Sequence, residues 1–203
     1  RPWRETSLMV DVFSLNAGRV TVIARGGNSA KSPLKAQLQP FQPLLLDWTG
    51  RSDLKTLTQA DVRSGPTLKR TLSLYSGLYV NELLQRLLPM ADPHHQLFAA
   101  YIDVIAELSE ASDVEPVLRR FEQSLAAELG YDFVWDQAMD SGQPVEAGGL
   151  YCYDPEQGIL AEPSPGSRLR NLPGDTLLAL ADGDLESAEC RRIAKRVTRV
   201  LVD

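Results

Sequence analysis

Cysteine and histidine are nearly absent from this 203-residue chain, which holds only Cys152, Cys190, His94 and His95. Two thiols cannot build a disulfide framework or a four-thiolate metal site, and so sparse a use of cysteine fits a reducing, cytoplasmic setting. The two histidines are neighbours near a helix start, where side chains one residue apart project about 100° apart. They do not converge on one metal and are read as surface residues, and Cys152 and Cys190 as small buried hydrophobes. Long apolar runs are missing as well. Nothing approaches the roughly 18 to 20 residues needed to cross a bilayer, so no membrane partner is expected.

Catalytic signatures are equally scarce. There is no G-x-S-x-G elbow, no H-E-x-x-H helix and no dinucleotide-binding glycine fingerprint. Gly26 to Ser32 (GGNSAKS) superficially resembles a phosphate loop, but Ala30 precedes the lysine and Arg25 stands where the first glycine belongs. Asp182 and Asp184 read as solvated charge in an acidic region. These gaps leave no catalytic residue, metal ligand or cofactor to nominate, so enzymatic turnover is not expected.

What the chain does have is a globular composition, 43% hydrophobic and 24% charged, and a lopsided charge distribution beneath its net −6. Residues 1–70 carry 11 Lys and Arg against 5 Asp and Glu, a balance of +6; residues 71–203 carry 10 against 22, a balance of −12. Two modules are implied, and only the first suits a polyanion.

The first module reads as strands. Ser7–Ser14 and Arg19–Arg25 alternate apolar and other residues about the turn Asn16-Ala17-Gly18, and Pro43–Trp48 and Asp53–Thr58 pair through Gly50-Arg51-Ser52. Four short strands without a crossover helix point to a small OB-like barrel over residues 1–66. From about Thr67 the period becomes helical. Leu68, Leu72, Tyr75, Tyr79, Leu83 and Leu87 fall on one face of a helix ending near Pro89. A second helix is expected from Asp92 (N-cap) and Pro93, with Leu97, Tyr101, Ile105 and Leu108. A third runs from Glu115 or Pro116 to Leu129, with Leu118, Phe121 and Leu125 as its stripe and Gly130 beyond it. The three are expected to pack together. Residues 131–170 read as a loop-rich insertion in which Gly149–Asp154 is the only strand-like piece. The chain closes with a basic helix from about Leu185 to Val200. The fold class is thus α+β multidomain: an N-terminal OB-fold barrel, then a mainly α-helical domain over 67–203.

The positive functional signals are of the binding kind. Arg19, Arg25, Lys31, Lys35, Arg51 and Lys55 lie on or beside the barrel strands, interspersed with Phe13, Phe41 and Trp48. Bases that track phosphates and aromatics that stack on bases are how such barrels hold single-stranded nucleic acid, although most aromatics in a small barrel belong to its core. In the last helix, Arg191, Arg192, Lys195 and Arg196 either extend this surface or pair with nearby acids to hold the helix down.

Several segments together resemble one family. RPWRETS at the start, GRVTVIARG at 18–26, LQPFQPLLL at 38–46, GRSDLKTL at 50–57, LYSGLYVNELLQRLLP at 74–89 and EPVLRRFEQSLAAELGY at 115–131 resemble the bacterial recombination mediator RecO in order and spacing. The resemblance implies a nucleoid-associated protein that binds ssDNA and dsDNA and anneals complementary strands. It further implies contact with the C-terminal tail of the single-stranded DNA-binding protein SSB, and work with RecR to help RecA load on coated DNA. A tail of that kind, acidic with a terminal hydrophobic residue, calls for an apolar pocket beside a base, and Arg119, Arg120, Phe121 and Leu125 are the candidates. Many members hold a structural zinc with four cysteines after the LGY segment; here Ala138, Ser141 and residues 161–164 offer none, so no zinc is expected and hydrophobic packing should take over. The resemblance also places a first barrel strand ahead of Arg1. The alternative is a non-enzymatic adaptor whose barrel docks protein partners.

Overall fold

The computed structural model describes residues 1–202, and the chain divides into two compact units, Arg1–Ser112 and Asp113–Asp203. The first unit opens with β1 (Pro2–Trp3), β2 (Ser7–Ser14) and β3 (Gly18–Ala24), then a single turn, α1 (Leu34–Gln37), followed by β4 (Leu44–Thr49) and β5 (Leu54–Val62). Its sheet runs in the order β1-β2-β3-β5-β4, with β3 and β5 parallel and the other pairs antiparallel. This is the five-stranded pattern of an OB-type sheet. Val20, Val22, Ala24 and Leu57 form its inner core, with Trp48 packed against them. Strict alternation along β3 puts those valines on one face and Arg19 and Thr21 on the other.

That other face of the hairpin is covered by helices α2 (Thr71–Leu87) and α3 (His95–Glu110). Phe13 meets Phe98 at a tilt and Tyr101 edge to face, with ring centroids 5.4 and 5.8 Å away, and Gln85 donates to Asp11 at 2.6 Å. Gly18 makes the closest approach. It sits at φ 62°, and a Cβ there would lie 1.9 Å from the Asp92 carbonyl oxygen, so only glycine lets the β2–β3 turn meet the α2–α3 connection.

The buried face of α2 differs from the leucine and tyrosine stripe expected from periodicity. Ser73, Ser76, Gly77, Val80, Leu83 and Leu84 face inward, while Leu72 and Tyr75 face solvent. The reason is closeness: a Cβ on Gly77 would stand 2.6 Å from Leu68 and 2.9 Å from the Phe41 ring. Small residues let the helix backbone settle onto Phe41, and the bulky ones are left outside. The N-cap of α3 is also His94 rather than Asp92, which leaves His94 half-buried instead of on the surface.

The second unit begins with α4 (Glu115–Glu128). Gly130 at φ 84° follows it in the left-handed conformation expected after a helix end. The insertion is more ordered than its Pro and Gly content suggests. It holds a small hairpin, β6 (Gln137–Ala138) with β7 (Gln143–Pro144), and a three-stranded antiparallel sheet of β8 (Leu150–Asp154), β9 (Gly158–Leu160) and β10 (Leu169–Pro173) in the order β10-β8-β9. Helices α5 (Gly174–Ala181) and α6 (Ala188–Val202) complete the unit. Tyr153, Ile159, Leu172, Leu177, Ile193 and Val197 are its buried centre, and α4 packs directly on α6.

Candidate nucleic-acid interface

In the first unit the expected bases separate by what they touch. Arg19 is committed internally. Its guanidinium donates to the Gln85 carbonyl and, at 2.9 Å, to the Leu88 carbonyl, and lies 3.1 Å from the Met90 sulfur. A cation on the last carbonyls of α2 satisfies acceptors the helix leaves open and complements its dipole. Lys55, paired in register with Val22, turns its ammonium back to the Gly50 carbonyl at 3.3 Å.

Arg25, Lys31, Lys35 and Arg51 are different: all four are exposed, and none has a carboxylate partner among the described residues. They do not form a single cluster. Arg25 follows the end of β3, Lys31 lies in the turns after it and Lys35 in α1, whereas Arg51 sits in the β4–β5 connection at the opposite end of β3. The length of β3 separates the groups by roughly 20 Å, a track rather than a patch. The aromatics do not supply a stacking platform along it: Phe13, Phe41 and Trp48 are each engaged in packing.

The basic residues of α6 largely face acids of their own unit. Arg191 holds Asp113 at 2.6 Å and Glu115 at 3.9 Å, Lys195 reaches Glu115 at 3.8 Å, and Arg192 donates to Glu189 at 3.0 Å. The Arg192 guanidinium holds the Glu189 carboxyl below the usual carboxylate range, with help from the charge of Arg196. A phosphate would have to displace those carboxylates. Asp184 accepts the Glu186 and Ser187 amides at 2.8 and 3.2 Å and so orders the turn ahead of α6, which makes it more than solvated charge. The cap itself is Ser187, whose hydroxyl accepts the Cys190 amide at 3.4 Å and whose carbonyl accepts the Arg191 amide at 3.0 Å.

Of the four residues expected to receive an acidic tail, three are inside. Phe121 and Leu125 are core side chains, and Arg119 is 4% exposed, with its guanidinium 2.7 Å from the carboxylate of Glu122, itself 2% exposed. Thr198 of α6 donates to the other Glu122 oxygen at 2.7 Å. Arg119, Phe121 and Leu125 thus present no surface to a peptide, because the apolar stripe of α4 is the stripe that packs inward. Arg120 alone is exposed. Its helical neighbours three, four and seven residues on, Gln123, Ser124 and Ala127, line a groove of about 320 Å³ together with Tyr131, Phe133 and Trp135. Phe133 anchors that wall, with ring centroids 4.8 Å from Trp135 and 5.1 Å from Tyr153. The alternation Tyr131, Phe133, Trp135 was the available sequence signal for this groove.

The insertion is stapled by carboxylates that the sequence reading did not single out. Asp140 accepts the amides of Ala161 and Glu162 at 2.9 and 3.0 Å, joining the β6–β7 turn to the segment after β9. Burial works against its charge, but those amides and that of Ser141 outweigh it and hold the carboxyl below its ordinary range. Asp154, buried, takes hydrogen bonds from Ser164 at 2.5 Å, the Glu156 amide at 2.9 Å and Gln157 at 3.2 Å, and the Ser164 hydroxyl foremost lowers its pKa. The positions where a zinc quartet would fall do not fit a metal: Ala138 is an apolar core residue, and the neighbouring segments are tied by Asp140 instead. Among the described residues no group of three His, Cys, Asp or Glu side chains could hold an ion. Carboxylate hydrogen bonds, as well as hydrophobic packing, order this region. Cys152 and Cys190 are buried and unpaired.

The first unit is an OB-type sheet carrying exposed cations that face no carboxylate among the described residues, and no helix among the described residues is long and apolar enough to cross a membrane. Comparison with known proteins makes this specific. Residues 1–66 match the family described as Recombination protein O N terminal, and residues 69–196 match Recombination protein O C terminal. The chain is 62% identical over 206 residues to the DNA repair protein RecO of Marinobacter nauticus, covering 100% of this chain and 84% of that protein. It is 46% identical over 185 residues to that of Nitrosospira multiformis, covering 90% and 76%. To that of Haemophilus influenzae it is 42% identical over 200 residues, covering 98% and 84%. The chain belongs to the RecO family, and its role lies in DNA repair and recombination.

Proposed function

We propose that this chain is a recombination mediator without catalytic turnover. It binds ssDNA and dsDNA, anneals complementary strands, docks the SSB tail, and with RecR helps RecA load on SSB-coated DNA. The observation that carries the DNA part is the quartet Arg25, Lys31, Lys35 and Arg51, four exposed cations with no carboxylate to displace among the described residues. Neutralising phosphates releases condensed counterions and lowers the repulsion between two strands, so binding and annealing fall steeply with salt. The test is annealing of complementary oligonucleotides, bare and SSB-coated, at two salt concentrations, by wild type and by a variant with all four residues changed to Glu. Salt-sensitive acceleration that the variant loses is the expected result; wild-type affinity in the variant at physiological salt refutes the assignment.

For the tail, the open face of α4 supports a shifted site. Arg120 supplies the cation for the terminal carboxylate and the groove beyond Ala127 takes the hydrophobic side chain. Arg120→Ala and the groove-filling Ser124→Trp are each expected to weaken an SSB tail peptide by about tenfold or more. Unchanged affinity in both removes the site.

A further inference from the structure

The outward face of α2 is apolar where a solvated helix would be polar. Leu72 and Tyr75 are 58% and 66% exposed, and Leu74 and Leu78 are exposed beside them. Thr71, Leu74, Tyr75, Leu78 and Glu82 follow helical spacing, so the apolar residues cover the first two turns and polar Glu82, Gln85 and Arg86 take over beyond. None of this is needed to hold the helix, whose buried face is the opposite one. The patch amounts to on the order of 400 Å², the size at which a monomer's largest exposed patch is usually functional.

Two further features say what covers it. Pairing with a second copy through this face would bury on the order of 800 Å² in total, short of the roughly 1,200 to 2,000 Å² of a stable specific interface. A short segment of another protein needs no more than the patch offers. The charges at its N-terminal edge then choose the chemistry: Lys69 and Arg70 are exposed, the first turn of α2 holds no acid, and no side chain caps its free amides. That edge favours an anion by charge and by dipole. We propose that this face of α2 docks an acidic protein segment that presents apolar side chains at helical spacing, at a site separate from the α4 groove.

The probe is a 14-residue synthetic peptide blocked at both ends, with Leu at helical spacing and Glu elsewhere, titrated by fluorescence anisotropy against the full chain. A Lys-for-Glu counterpart serves as its control. Blocking removes the terminal carboxylate on which the tail site depends, so Arg120→Ala leaves this titration unchanged. Saturable binding of the acidic peptide is expected, at least about tenfold tighter than the basic one, and lost at least about tenfold in Tyr75→Glu/Leu78→Glu. Lys69→Glu/Arg70→Glu, which leaves the apolar face and the fold alone, weakens it to a similar degree. Equal binding of both peptides, or equal binding to wild type and both variants, overturns the proposal. So does sedimentation showing that wild type self-associates and Tyr75→Glu/Leu78→Glu does not, since the occupant is then a second copy.

Discussion

Arg119 separates an architectural charge from a binding one. Its guanidinium lies 2.7 Å from Glu122, both side chains are almost wholly buried, and Thr198 of α6 donates to the second Glu122 oxygen at 2.7 Å. Arg119→Met leaves an ionised carboxylate in the interior without its cation, a loss of about 3 to 5 kcal/mol. Against a total stability of about 5 to 15 kcal/mol, that is between about a fifth and the whole of what small domains have. Removing both charges with Arg119→Met/Glu122→Leu lets apolar groups fill the space, and the pair should cost far less than the sum of the single changes. Thr198→Val removes only one hydrogen bond to a charged acceptor, about 1.5 to 3 kcal/mol. Arg120→Met, one residue away and exposed, should stay within about 0.5 kcal/mol of wild type. Urea unfolding followed by far-ultraviolet circular dichroism measures all four. If Arg119→Met unfolds like wild type while its affinity for the SSB tail collapses, Arg119 is a binding residue and the reasoning from burial is wrong.

Gly77→Ala puts a methyl group within 2.6 Å of Leu68 and 2.9 Å of Phe41, so it is expected to lower stability by about 1 to 3 kcal/mol, measured by urea unfolding, although alanine is the better helix former. Asp140 and Asp154 have folded pKa values below the unfolded 3.8; their contribution is present above that value and disappears as pH falls through the lowered ones. Thermal midpoints should therefore drop on acidification below about pH 4, and less so in Asp154→Ser. Tyr101 is pushed from 10.0 up to about 12, by burial first, while its hydroxyl donates to Asn81 at 2.7 Å. The protonated phenol is the folded form, so this stabilisation holds below pH 10 and is lost as pH rises towards 12; a midpoint near 10 for the phenol signal that Tyr101→Phe removes from the ultraviolet titration would refute it.

The β2–β3 hairpin, the four strand segments and the three middle helices were legible because alternation, turn residues and helical spacing are local signals. Gly130 after α4 is readable for the same reason. The insertion was not, because its order comes from Asp140 accepting the Ala161 amide 21 residues on and Asp154 accepting the Ser164 hydroxyl 10 residues on, and no local pattern announces such a bond. α5 is short and follows Pro173 directly, so no apolar period develops before it begins.

The orientation of α2 was missed for a sharper reason. Periodicity counts how apolar a stripe is, whereas packing also rewards how closely a backbone can approach its support. On α4 the expected apolar stripe of Phe121 and Leu125 wins and carries Arg119 inward with it, leaving Arg120 exposed. On α2 the small stripe of Ser73, Ser76 and Gly77 wins, because Phe41 and Leu68 already fill the space a larger side chain would need. Leu72, Leu74, Tyr75 and Leu78 are then displaced to solvent by the fit of the opposite face. A helix that was only optimising its own unit would place polar residues there, as α2 does from Glu82 onward. Apolar residues confined to the two turns beside Lys69 and Arg70 are what a docking face requires, and burial of the small stripe is what leaves them free to serve as one.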